Sequence, residues 1–161
     1  MTSDTLIKAD TDVLASFLVE AKRKTYAANG ESGEERRADG GRELTYESGQ
    51  FLYRDRYYGF NPFVGQELVF KKGQCIWAMN YYGEVSPEVV DVKAVYAFLK
   101  AALREVDTRN PFRGPYNFTD EKYSYQNVCG GNVERFNGRE VIKRGDFEIY
   151  KLSYQGGLVK I

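Results

Sequence analysis

Histidine is absent from this 161-residue chain, and the absence excludes more chemistry than any other feature of the sequence. A Ser/His/Asp triad, a Cys/His pair, a zinc-bound water held by imidazoles and a haem with an axial histidine all require it. Acid/base work would fall to carboxylates, tyrosines and lysines. Cysteine is almost as scarce: Cys75 and Cys129 are the only two, they form no CxxC or zinc spacing, and they are expected as reduced, packed thiols. Neither sign of charge is in excess, with 23 Lys+Arg against 23 Asp+Glu. No global field therefore attracts nucleic acid or an anionic membrane, and any partner has to be recognised locally. No apolar run approaches the roughly 18 residues of a membrane span, and the opening MTSDTLIKAD has neither a basic nor an apolar leader region. The expectation is a soluble cytoplasmic protein with no membrane attachment, no metal and no cofactor.

What the chain does have is aromatic side chains, 13 Tyr and 10 Phe with one Trp. They are densest between Tyr53 and Gly83, which includes Trp77 and the repeated triplets Tyr57-Tyr58-Gly59 and Tyr81-Tyr82-Gly83. Ahead of this stretch, residues 10–28 place Val13, Leu14, Phe17, Leu18 and Ala21 on one helical face behind the candidate caps Asp10 and Thr11. Residues 29–41 (NGESGEERRADGG) have no period and almost nothing apolar, so they read as a mobile surface loop in which Arg36 and Arg37 stand beside Glu34 and Glu35. Leu44 to Tyr46 and Phe51 to Tyr53 flank a hairpin tip at Ser48-Gly49, with Leu44, Tyr46, Phe51 and Tyr53 on one face.

The next hairpin turns at Lys72-Gly73. Pairing outward from Lys71 and Gln74 sets Phe70 against Cys75, Leu68 against Trp77, Gln66 against Met79 and Val64 against Tyr81 on the core face. Glu67, Val69, Ile76, Ala78, Asn80 and Tyr82 then share the other face, and a slip of one residue would exchange the two. Ser86-Pro87-Glu88 signals a second helix, followed at helical spacing by Val92, Val95, Tyr96, Leu99, Leu103 and Val106. After the rigid turn Pro111-Phe112-Arg113-Gly114-Pro115, short strands at 122–128, 133–136, 139–143 and 147–154 are separated by Gly130-Gly131-Asn132, Asn137-Gly138 and Arg144-Gly145-Asp146. The last residues, 156–161, read as a bulged edge segment. The predicted class is α+β, a single domain over 1–161 with a curved, mainly antiparallel sheet of about seven to nine short strands and two helices on one face.

The segments VEAKRKTYA (19–27), FLYRD (51–55), Tyr58-Gly59, FVGQE (63–67), WAMNYYG (77–83), PFRGP (111–115) and GGLVK (156–160) together resemble an uncharacterised bacterial and archaeal domain family. That family occurs alone or behind an N-terminal helix-turn-helix region. The resemblance implies a sensory or regulatory domain. This sequence starts at its first amphipathic helix with no helix-turn-helix ahead of it, so direct nucleic-acid binding is not expected.

Six residues are candidates for a ligand site. Glu67 and Asn80 combine an acid and an amide on a partly apolar face, where an acid would be desolvated. Tyr58 and Tyr82 close strands next to glycines, Arg54 lies beside aromatic faces, and Arg113 sits on a proline-braced turn from which it could clamp an anion or tie its own loop to a carboxylate. No catalytic residue is assigned. The expected function is non-catalytic binding of a small polar ligand with a planar or anionic part, such as a nucleotide-like signal, by a regulatory domain. The alternatives are an interaction module working as a homo-oligomer, for instance a homodimer, and a histidine-free acid/base enzyme using Glu67 or Asp55.

Overall fold

Period-two alternation of apolar and polar residues runs through most of the chain after residue 42, and such segments bury their apolar side only by pairing into a sheet. The computed structural model describes residues 3–25 and 33–160, with side chains from residue 10 onward. It contains β1 (Glu35–Arg36), β2 (Arg42–Ser48), β3 (Phe51–Gly59), β4 (Phe63–Lys71), β5 (Gln74–Val85), β6 (Asn117–Thr119), β7 (Ser124–Asn132), β8 (Arg135–Arg144) and β9 (Phe147–Leu158). All pair antiparallel in one nine-stranded sheet of order β1-β2-β3-β4-β5-β9-β8-β7-β6. Two hairpin meanders thus meet at the β5–β9 seam, and the expected α+β architecture with a curved, open sheet is the one found. One helix precedes the sheet, α1 (Ser3–Lys24), and the other, α2 (Val92–Leu103), lies in the connection from β5 to β6.

Both helices cover the same face. Leu14, Phe17, Leu18 and Ala21 of α1 are buried, with Phe17 packed on Phe51 at 5.1 Å between ring centroids. Phe98 of α2 packs on Tyr123 at 5.3 Å and Phe118 at 5.6 Å. α1 starts at Ser3, well ahead of the expected caps Asp10 and Thr11, because residues 4–9 contain no glycine or proline to stop it; the expected extension to 26–28 lies outside the described residues. α2 starts after Asp91, whose carboxylate accepts from the backbone N of Ala94 at 3.0 Å. The Ser86 hydroxyl bonds to Glu88 instead, leaving 86–90 as a turn. Of the loop expected at 29–41, residues 29–32 lie outside the described residues. The rest folds into β1 and a turn held by the Arg37–Glu43 ion pair and the Arg37 N to Gly41 O bond.

The hairpin at Lys72-Gly73 begins in the expected register, Lys71 with Gln74 and Phe70 with Cys75, and then slips: Val69 faces Trp77, leaving Ile76 as the extra residue of a bulge. A bulge exchanges the faces beyond it. Val69, Glu67 and Gly65 therefore join Trp77, Met79 and Tyr81 on the helix-covered face. Val64, Gln66 and Leu68 go outward with Ala78, Asn80 and Tyr82. The expected face assignment of β4 is corrected by this one residue, while Trp77, Met79 and Tyr81 remain core.

Three glycines taken for turn residues in the sequence, Gly130, Gly131 and Gly138, lie inside strands. Gly138 is in β8 opposite Tyr154, and a Cβ on it would lie 2.2 Å from that ring. Gly65 stands in the same relation to Tyr81, where a Cβ would come within 2.2 Å of the hydroxyl oxygen. Gly130 and Gly131 likewise belong to β7. The segment from Gly156 is not an edge as far as Leu158, where it belongs to the central strand β9, with Tyr150, Leu152 and Tyr154 buried between β5 and β8; Ile161 lies outside the described residues. A Gly138→Ala substitution should lower the unfolding free energy by about 1–3 kcal/mol through overpacking against Tyr154. The outward-facing Asn137→Ala should stay within about 0.5 kcal/mol of wild type. Urea titration followed by Trp77 fluorescence measures both.

Candidate functional site

The slip at Ile76 takes a carboxylate into the core, and what surrounds it forms the most unusual chemistry of the molecule. Glu67 is 0% exposed. Its Oε1 accepts from the Lys22 Nζ at 2.7 Å and from the Tyr53 hydroxyl. Lys22 is also 0% exposed, because it stands four residues after Leu18 on the apolar stripe of α1. Burial pulls its ammonium below the ordinary lysine range, against the opposing pull of Glu67. Directly across the β3–β4 ladder from Glu67 is Asp55, 3% exposed, whose Oδ1 accepts from the Tyr81 hydroxyl at 2.7 Å. Burial, reinforced by the Glu67 charge, pushes the Asp55 carboxyl up to about 7. The Tyr81 hydroxyl is itself held well above its usual range, first by burial and then by these two carboxylates.

A second carboxylate centre adjoins the first. Glu140, 0% exposed, accepts at Oε1 from Arg113 Nη2 at 2.6 Å, Arg113 Nε at 3.1 Å and the Tyr150 hydroxyl at 2.8 Å. Its Oε2 accepts from the Tyr125 hydroxyl at 2.6 Å. Arg113 reaches this position because its turn is fixed on both sides. Phe112 stacks on Phe136 at 3.7 Å, the Gly114 N donates to Tyr125 at 3.1 Å, and the Gly114 carbonyl accepts from Asn127 at 3.0 Å. The Arg113 guanidinium also lies 5.4 Å from the Tyr81 ring centroid and so links the two centres. Glu140 is thus fully satisfied. Glu67 is not: its Oε2 is buried with no hydrogen-bond partner.

The residues nominated from sequence divide between the two faces. Glu67 and Arg113 enter this inner cluster, Arg113 as a tie to a carboxylate. Asn80 and Tyr82 point outward, where Asn80 accepts from Gln66 at 2.8 Å and Tyr82 is 54% exposed. Both line an open groove of about 920 Å³ with Gln126, Asn137, Arg139 and Gln155. Arg54 is also on the outer side, its guanidinium 5.0 Å from the Phe70 ring centroid. Tyr58 lies nearer the β1 edge and donates to Asp39 at 2.8 Å. The structure does not bring Asn80, Tyr82, Tyr58 or Arg54 together with Glu67. Among the described residues, no group of three or more His, Cys, Asp or Glu side chains could hold a metal ion, and no helix is long and apolar enough to cross a membrane.

A family model described as "Domain of unknown function (DUF5680)" matches residues 55–159, more than half of the chain. The chain belongs to this family. The family match begins at Asp55 and takes in Glu67, Tyr81, Arg113, Tyr125, Glu140 and Tyr150, while Lys22 and Tyr53 come from outside it. No curated protein and no solved structure matches the chain.

Sequence reading missed Lys22 and Glu140 as members of this cluster, although the signals were present. Lys22 keeps the helical phase of Leu14 and Leu18, and Glu140 alternates in phase with Phe136 and Ile142. Removing one partner of a buried ion pair leaves an uncompensated charge, so Lys22→Met should cost about 3–5 kcal/mol, and adding Glu67→Met should recover most of the loss. Asp55 gives a pH signature whose sign is fixed by its raised value. Between its ordinary 3.8 and about 7 the folded protein keeps a proton that the unfolded chain has lost. Its contribution to stability therefore falls as pH rises. The difference in unfolding free energy between wild type and Asp55→Asn should decline from about pH 4 to about pH 7, by at most about 1.4 kcal/mol per pH unit, and level off above. Denaturation series across pH read this directly.

Proposed function

We propose that this is a non-catalytic, small-ligand-binding domain of regulatory type, and that the ligand is held at the charged cluster on the inner face of the sheet. The carrying observation is Glu67, fully buried with one carboxylate oxygen that no protein group meets. Keeping Asp55, Glu67, Glu140, Lys22 and Arg113 away from water lowers stability relative to apolar residues of similar volume. Strongly perturbed ionisable groups gather at functional sites, as well as in structural ion-pair networks. The tyrosines around them offer ring faces and hydroxyls together, which suits recognition of a small polar molecule. Because Lys22 belongs to the last turn of α1, a ligand that engages Glu67 changes what holds this helix to the sheet, and that supplies a regulatory output.

One observation favours a second reading, acid/base catalysis. Asp55 and Glu67 are direct cross-strand partners, and a carboxyl raised to about 7 is suited to exchanging protons near neutrality.

The binding reading is tested by thermal shift and native mass spectrometry against amines, amino acids, nucleotides and sugars. A ligand present at 100 times its Kd should raise Tm by about 5–10 °C. The shift should be lost in Glu67→Gln and kept in the outward-facing Tyr82→Ala. A flat panel, or hits indifferent to Glu67→Gln, would sink the proposal.

A further inference from the structure

The charges and hydrogen bonds of the cluster also specify what kind of ligand it takes. Resting on the reading above, we infer that the Asp55–Glu67 pair binds a cationic N–H donor, an ammonium or amidinium group, in exchange for a proton shared by the two carboxyls. Among the described residues the cluster holds three carboxylates, Asp55, Glu67 and Glu140, against two cations, Lys22 and Arg113. Each cation already has a carboxylate: Lys22 bonds Glu67 Oε1 at 2.7 Å and Arg113 bonds Glu140 Oε1 at 2.6 Å. One negative charge is left over on the side of Asp55. The unmet group is an acceptor, the Oε2 of Glu67. An anionic ligand would add charge of the sign already in surplus and would leave that oxygen without a donor. A cationic donor corrects both.

In the ligand-free protein, a proton on Asp55 does the same work. Asp55 and Glu67 face each other across one rung of the ladder, where residues stand about 5 Å apart. A protonated Asp55 neutralises the surplus. When the N–H donor arrives, it bonds the carboxylates and one proton leaves to solvent, so that charge inside the cluster is unchanged. The groups that set this exchange surround the pair: Lys22 from α1, Tyr53 from β3, Tyr81 from β5, and Arg113 with Glu140 from the 111–115 turn and β8. The planar rings of Tyr53 and Trp77, each with its centroid 5.8 Å from the Lys22 Nζ, already hold one cation beside this site.

Acetamidinium, acetamide and acetate have nearly the same shape and differ in charge, so together they isolate the inference. Calorimetry on the full chain at constant ionic strength, in two buffers of different ionisation heat, gives both affinity and proton count. The expected result is binding of acetamidinium at least tenfold tighter than acetamide and no binding of acetate. About one proton should be released per ligand at pH 6, with affinity strengthening up to about tenfold per pH unit until the pair is ionised. Asp55→Asn should abolish the proton release, and Tyr82→Ala should change nothing. The proton count on the unaltered protein decides the matter even where Asp55→Asn does not fold. Binding of acetate or acetamide as tight as acetamidinium, lost in Glu67→Gln, overturns the cation inference and leaves the inner-face ligand site standing. Acetamidinium binding without proton release overturns the exchange. If none of the three binds, the inference fails, and the broader ligand screen decides separately whether the site itself does.

Discussion

The Lys22–Glu67 ion pair is made out of water, and most of the inner face is arranged around that fact. A charge pair in the core is tolerable only when almost every oxygen and proton on it finds a partner. Tyr53 and Lys22 share one oxygen of Glu67. The adjoining Glu140 has its demand met four times over by Arg113, Tyr125 and Tyr150. This pairing also fastens α1 to β4 through two residues 45 positions apart in the chain.

Tyrosine is the residue that makes such an interior possible. Its ring fills core volume while its hydroxyl carries a donor to a fixed point at the ring's far end. Reaching that point from a flat sheet requires the ring to lie down along the neighbouring strand, and a side chain on that strand would block it. Gly65 and Gly138 clear the way for Tyr81 and Tyr154, whose hydroxyls then meet Asp55 and Asn127. The glycines are therefore part of the polar network although they contribute no polar side-chain atom to it.

Much of the fold could be read from the sequence because it depends on local rules. Alternation exposed most of the strands, the stripe of Leu14, Phe17 and Leu18 exposed α1, and the Lys72-Gly73 turn located its hairpin. The site was less legible because it depends on phase over distance. Asp55 stands between Arg54 and Arg56 in the sequence, yet its alternation with Phe51 and Tyr53 turns it inward, while Arg54 and Arg56 face out. Asn137-Gly138 has the composition of a turn, and only the demand of Tyr154 for space, a contact made across strands, keeps it in β8. Asn80 and Tyr82 were grouped with Glu67 because nothing in the local sequence announces that Ile76 is an extra residue.

Ile76 divides β5 into two reading frames. On the hairpin side Phe70 pairs with Cys75 as the turn dictates, and beyond it every residue of β4 is read against β5 one place out of step. The length of the chain is consequently constrained at this spot more tightly than its side chains are. Loss of a single residue here would leave composition, turn and hydrophobic content almost unchanged. It would nonetheless turn the strand inside out, presenting Glu67 to solvent and offering Leu68 to Lys22.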